Sequence, residues 1–205
     1  SSPYGGERAN SDQAGDRHVW EVWSSWQDYK YYSRDTSKFV SEFGFQAAPD
    51  AKTINFFASE KDKNLFSPVM LNHNKQTEGP ERLLKFINNH YGLISSFDSL
   101  IYLTQLNQAE AIKTGVEHWR SRKYRTAGTL YWQINDSWPV FSWSSIDYFK
   151  RPKALYFYAK RFYSSLLPIA KNKDGQIFIS IINDGGYSEV DLEFELWELN
   201  GNLEK

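Results

Sequence analysis

Cysteine is absent from the 205 residues, which excludes disulfides, zinc–thiolate sites and thiol catalysis and leaves the redox compartment open. No apolar run approaches the roughly 20 residues that a membrane-spanning helix needs, so no membrane partner is expected. Neither sign of charge dominates. Lys and Arg number 24 against 25 Asp and Glu, and no basic stretch is interleaved with aromatics along one face, so no nucleic acid is expected. The 4 histidines lack ligand-like spacing, and neither a metal nor any other cofactor is expected. An initiator methionine and a signal-peptide pattern are missing too: the chain opens Ser1-Ser2-Pro3, and the expectation is a piece of a longer protein.

What is abundant is aromatic. Phe, Trp and Tyr make up 17% of the chain, with 8 Trp, 13 Tyr and 14 Phe, within an ordinary 40% hydrophobic content. Most of these rings must fill a core, for which the length suffices. The remainder suits sugar binding, because pyranose rings present apolar C–H faces to aromatic planes.

Along the chain, Ser1 to Asp16 reads as a loop broken by Gly5-Gly6, and His18 to Trp23 as a short strand with His18, Trp20 and Val22 on one face. The polar, tyrosine-rich stretch from Trp26 to Lys38 suggests a short helix before an apolar strand at Phe39 to Gln46. Ala47 to Pro80, with Pro49, Pro68 and Pro80, should be loops and short helical turns. Helical spacing of Leu83, Leu84, Ile87 and Tyr91, closed by Gly92, predicts a helix over 81–91, and a longer apolar stripe predicts one over 98–122. Gly128 to Asn135 reads as a strand. Pro152 opens a helix whose inner face is Ala154, Leu155, Tyr158, Ala159 and Phe162. After Leu166-Leu167-Pro168 the period changes to two: Ile177 to Ile182 is a strand, Asn183-Asp184-Gly185-Gly186 a turn, and Val190 to Leu196 a second strand.

One residue breaks the apolar run at 39–46. Glu42 sits among Val, Phe and Gly, where a carboxylate loses hydration and must be paired, hydrogen-bonded or protonated. Such residues collect at sites of chemistry. Ser41-Glu42-Phe43-Gly44-Phe45-Gln46 resembles the nucleophile motif of the β-mannosidases of glycoside hydrolase family 2. Further matches follow in that family's order: Tyr102-Leu103-Thr104-Gln105 with Gln108-Ala109, then the run from Gly128 through Trp132, Asn135 and Asp136 to Trp138-Pro139, then Ser142 to Tyr148. Upstream, Gly15 to Trp23 is similar as well, so the resemblance covers about Ser1 to Pro168.

The resemblance implies an α/β fold: the C-terminal part of a (β/α)8 TIM barrel over residues 1–167, followed by the start of an immunoglobulin-like β-sandwich over 168–205. It implies a retaining exo-glycosidase that hydrolyses terminal β-mannosides, acting on a carbohydrate substrate, with Glu42 as catalytic nucleophile. His18, Trp20, Trp132, Asp136 and Trp138 would be substrate-binding residues, Trp132 as a stacking floor and Asp136 either ordering its loop or bonding sugar hydroxyls. The family's acid/base glutamate lies in an Asn-Glu pair, and no such dipeptide occurs here. Glu21 and Asp136 are the local carboxylates that could stand in, without a second motif behind either. Other readings are another family 2 specificity, β-galactosidase or β-glucosaminidase, and a non-catalytic carbohydrate-binding module. Truncated barrel edges would favour self-association, and an extracytoplasmic or lysosomal location would fit the family.

Overall fold

The computed structural model describes residues 15–195, 197, 198, 200 and 201; the loop expected over residues 1–14, and Leu196 at the end of the last expected strand, lie outside them. The chain enters at β1 (Arg17–His18), turns into α1 (Glu21–Ser24), passes a 3-10 helix (Tyr29–Arg34) and forms β2 (Val40–Phe43). Four α-helices and a short 3-10 turn (Glu60–Asp62) follow, the helices being α2 (Ala51–Phe57), α3 (Pro68–Asn72), α4 (Gly79–Tyr91) and α5 (Phe97–Arg120). The chain then returns to the sheet as β3 (Thr129–Tyr131). Helix α6 (Ala154–Phe162) leads into a hairpin of β4 (Leu166–Lys173) and β5 (Gln176–Asn183).

The first three strands are parallel and lie in the order β1, β2, β3, with His18 opposite Glu42 and Phe43 opposite Tyr131. Parallel neighbours require a crossover, and α2 to α5 supply it between β2 and β3. Helix starts follow local chemistry. Asp50 accepts from the backbone N–H of Lys52, Ser67 from that of Met70 and Ser96 from that of Ser99, so α2, α3 and α5 each have a side chain on an otherwise orphaned donor. Gly92, at φ 78°, closes α4 as its position in the sequence suggests.

The expected strand from His18 to Trp23 does not extend that far. Val19 still donates to the Glu42 carbonyl, but Ser24 and Ser25 then donate to Trp20 and Glu21, which winds the chain into α1. Two contacts favour the turn: Arg17 pairs with Glu21 one turn on, and Arg82 from α4 donates to the carbonyls of Trp23 and Ser24. Both Val22 and Trp23 are thereby buried, where an alternating strand would have exposed one of them.

The main core lies between the parallel sheet and α4, α5 and α6. Trp119 at the end of α5 packs edge-on against Phe43 (4.7 Å between ring centroids) and Tyr32 (5.4 Å), and its indole donates to Asp35 at 2.8 Å. Trp23, Phe45 and Phe86 form a second aromatic knot, with centroids 4.6–5.4 Å apart. The inner face expected for α6 is observed, with Leu155 and Phe162 fully buried and Ala154, Tyr158 and Ala159 packed beside them.

The hairpin has its own small cluster of Leu167, Ile169 and Ile182. Its turn is Asp174-Gly175, both at positive φ, rather than a turn at Asn183 to Gly186. Residues 190–195 form no strand despite their strict alternation: among the described residues no ladder partner meets them, and side chains 191–195 are exposed. Asp184 ties the hairpin to the end of α5 through Arg120 and Lys123, at 2.7 and 2.6 Å. Among the described residues no helix is long and apolar enough to cross a membrane.

Trp119→Ala should lower the unfolding free energy by about 3–5 kcal/mol, since it empties the contact between α5 and β2 and strands the buried Asp35. Urea denaturation of the two proteins measures the difference.

Candidate functional site

Glu42 stands near the end of β2, flanked on the β1 side by His18 and Trp20. Its carboxylate is 27% exposed, so it is reachable yet walled. The Trp20 indole N–H donates to Oε1 at 2.8 Å, and the His18 imidazole Nε2 lies 3.9 Å from Oε2, beyond a direct hydrogen bond. Trp20 reaches the carboxylate because α1 begins immediately after it, turning its ring back over β2.

Trp132 follows β3 on the other side. Its backbone N–H donates to the Phe43 carbonyl at 2.7 Å, its peptide bond to Gln133 is cis, and the residue is 43% exposed. The two sides meet over Gly44. A Cβ there would lie 2.6 Å from the Trp132 carbonyl oxygen, 2.8 Å from the Trp20 ring and 3.0 Å from the Trp143 ring. Only a residue without a side chain lets the strand carrying Glu42 pass between those three tryptophans.

The segment after Trp132 is held from beneath. Asp136 is buried, with Oδ2 accepting from the Ser142 and Ser144 hydroxyls at 2.9 and 2.6 Å and Oδ1 accepting from the Gln133 amide at 3.3 Å. Ser142 and Ala47 exchange two backbone hydrogen bonds, 2.9 and 3.1 Å, joining the chain that leaves β2 to the chain that leaves β3. Gln108 from α5 reaches the carbonyls of Phe45 and Ser144 at 2.8 and 3.3 Å, stitching both to the helix layer. Lys153, fully buried before α6, also points its ammonium at this junction. Burial pulls its pKa down to about 8, against the opposing pull of Asp136 and Asp147.

The residues singled out in the sequence thus fall into two groups. Trp20 bonds Glu42 directly, His18 stands 3.9 Å from it, and Trp132 reaches them through the backbone contact with Phe43 and the close approach at Gly44. Asp136 orders the loop: with both oxygens occupied by protein donors, its carboxylate has little left to offer a ligand. Trp138 stacks on His73 (4.9 Å), which stacks on Phe57 (3.7 Å), while the Lys75 ammonium lies 5.0 Å from the Trp138 ring. Of the stand-in acids, Glu21 is engaged by Arg17 and Asp136 by the two serines. Three contributors were not singled out in the sequence: Gly44 and Trp143, which stand inside the matched motifs, and Lys153, whose position after Pro152 marks only a helix start. Among the described residues no group of three or more His, Asp or Glu side chains could hold a metal ion.

A carboxylate at a strand end, held by a tryptophan indole, is an arrangement on which glycoside cleavage can be built, and comparison with known proteins shows the chain to be homologous to glycoside hydrolases. No protein-family model matches it. The particular relatives are β-mannosidases: β-mannosidase B of Aspergillus niger is 39% identical over 167 residues, 78% of this chain and 20% of that protein. β-Mannosidase B of Aspergillus flavus is 38% identical over 176 residues, 82% of this chain and 20% of that one. Among solved structures, the crystal structure of β-D-mannosidase from Dictyoglomus thermophilum superimposes with a TM-score of 0.84 and 45% identity, over 89% of this chain and 23% of that chain. The exo-chitosanase of Amycolatopsis orientalis, at 18% identity and a TM-score of 0.61 over 74% of this chain and 20% of that one, shares the fold. The resemblance carried by the motifs is therefore borne out, and the chain spans about a fifth of the length of the curated relatives it matches, 20% in each case given.

Gly44→Ala should cost about 1–3 kcal/mol in stability through overpacking against three tryptophans, with a shifted tryptophan emission, both measurable in one denaturation series. For Lys153 the sign is opposite to that of an ion pair. The folded-state pKa lies below the ordinary 10.5, so its burial is unfavourable below about pH 8 and that penalty is relieved as the pH rises toward 10.5. From pH 8 to 10 the wild type should gain on Lys153→Met by up to about 1.4 kcal/mol per pH unit, as followed by urea denaturation at several pH values.

Proposed function

We propose that this chain carries the nucleophile half of a retaining exo-β-mannosidase. The observation that carries the reading is the placement of Glu42 near the C-terminal end of a parallel strand, reachable and held by the Trp20 indole at 2.8 Å. On this reading β1, β2 and β3 are the last three strands of a (β/α)8 barrel formed by residues 1–167. Their outer edges would be met by the barrel's other strands, or by a second copy when the chain is alone. Residues 168–205 would begin an immunoglobulin-like sandwich.

In the mechanism this implies, Glu42 attacks the anomeric carbon and forms a glycosyl–enzyme ester, while a second carboxyl about 5–5.5 Å away protonates the leaving oxygen and then activates water. The Trp20 indole fixes one carboxylate oxygen and leaves the other to attack. His18, beside that second oxygen, is placed to hydrogen-bond a sugar hydroxyl. Trp132 supplies an exposed ring as a floor, and Trp138, braced by His73, a wall. Asp136 contributes by holding the loop that bears both rings. The acid/base carboxyl would come from a segment outside these 205 residues, because the local candidates Glu21 and Asp136 are engaged by Arg17 and by Ser142 and Ser144. The relatives favour a mannoside over a galactoside or glucosaminide, since the closely matching chains are named β-mannosidases.

The test uses a longer protein containing this chain and a 2-deoxy-2-fluoromannosyl fluoride. The reagent should label Glu42, and Glu42→Gln should abolish labelling and lower kcat on aryl β-mannosides by at least about 10⁴-fold, with the isolated chain inactive. Labelling of another carboxylate, or none with turnover intact, would overturn the assignment; a binding module would not be labelled at all.

A further inference from the structure

Lys153 is 0% exposed, and the reading above gives it no part. Its ammonium donates to the carbonyl of Ser142 at 3.2 Å and, more weakly, to that of Ala47 at 3.5 Å. Those two carbonyls belong to the residues that exchange backbone hydrogen bonds where the chain leaving β2 meets the chain leaving β3. Each carbonyl thus has one lone pair on a backbone N–H and the other directed at one shared cation. A lysine ammonium has three donors and can serve both; a neutral aliphatic side chain of the same length can serve neither.

The carboxylates that face this ammonium are Asp136, from the loop after β3, and Asp147, from the loop before α6. Asp136 in turn binds the hydroxyl of the same Ser142, and Asp147 accepts from the Asp50 N–H and the Thr53 hydroxyl on the β2 side. Charge and carbonyl contacts therefore converge on one seam. Directly along the chain from Ser142 is Trp143, whose ring meets the Trp20 ring edge-on at 6.3 Å, and Trp20 holds Glu42.

We propose that Lys153 is a positioning residue for the nucleophile: by clasping the Ala47–Ser142 seam it fixes Trp143 against Trp20, and so fixes the Trp20 indole on the Glu42 carboxylate. This rests on the reading of Glu42 as nucleophile. A lysine that only filled space would affect stability alone. One that sets the attack geometry affects the rate of bond formation more than the affinity for the sugar. The positive charge strengthens both N–H to carbonyl contacts, while burial pulls the ammonium's pKa down to about 8.

The experiment follows single-turnover labelling by the 2-deoxy-2-fluoromannosyl fluoride in the same longer protein. In that step a Glu42 oxygen bonds to the anomeric carbon as the C–F bond breaks and its electron pair leaves with fluoride. The acid/base carboxyl contributes little to so good a leaving group. Lys153→Met should lower the saturating labelling rate constant by about tenfold to a hundredfold, while the half-saturating reagent concentration changes by less than about threefold. A saturating rate constant within about twofold of wild type overturns the proposal, as does a loss confined to half-saturation. If Lys153→Met does not fold, Lys153→Gln, whose shorter side chain does not reach both carbonyls, is read by the same two criteria: a tenfold or greater loss in the saturating rate constant is expected, and a value within about twofold of wild type overturns the clasp. Glu42→Gln separates the two ideas. Labelling that survives it removes the nucleophile reading and this proposal together, whereas strict dependence on Glu42 with a normal Lys153→Met removes the proposal alone.

Discussion

The absence of a side chain at Gly44 is the constraint from which the rest of the site follows. Within 3.0 Å of where a Cβ would stand lie a backbone oxygen of Trp132 and the rings of Trp20 and Trp143, each contributed by a different stretch of chain. Because they can close to that distance, the indole of Trp20 reaches the carboxylate two positions before the glycine in the chain, and the exposed Trp132 is brought up to the end of the neighbouring strand. The parallel register of β1, β2 and β3 brings the stretches to one end of the sheet, and the glycine lets them pack there.

Below that junction the molecule uses polar groups where a core would ordinarily use hydrocarbon. Gln108 reaches two carbonyls from the helix layer, Asp136 gathers two serine hydroxyls, and Lys153 brings an ammonium into a fully buried position. Each group is costly to bury unless its partners are placed for it. A network of this kind tolerates few arrangements, and an irregular loop such as the one from Gln133 to Ser145 is held in one shape by it. The apolar work is done further down, by the aromatic contacts of Trp119 and Trp23 that bind α4 and α5 to the sheet.

The helices were the legible part of the fold. The stripes on α4, α5 and α6 are dictated by burial against one surface, and their ends by Gly92 and Pro152, so sequence spacing carries them. The region around Trp20 was misread because alternation over His18 to Trp23 suits a strand as well as a helical turn. What decides is Arg82, far along the chain, which binds the carbonyls that a strand would have used elsewhere. Residues 190–195 failed for the complementary reason: period two describes a face, and a face becomes a strand only beside a partner. Within the site, Glu42, His18 and Trp20 were visible as residue types in recognisable motifs. Asp136 is held by Ser142 and Ser144, and Lys153 meets the carbonyls of Ala47 and Ser142, contacts that no local pattern encodes.

The hairpin of β4 and β5 is joined to the body differently from everything else. Its apolar cluster of Leu167, Ile169 and Ile182 is separate from the main core, while Asp184, half exposed, receives both Arg120 and Lys123 at the end of α5. Attraction between partly hydrated charges weakens as counterions accumulate, whereas aromatic packing does not. The seam between hairpin and helices is therefore a boundary whose stiffness follows ionic strength, so that added salt weakens the tie of the appended strands more than it weakens the aromatic packing beneath the sheet that bears the carboxylate.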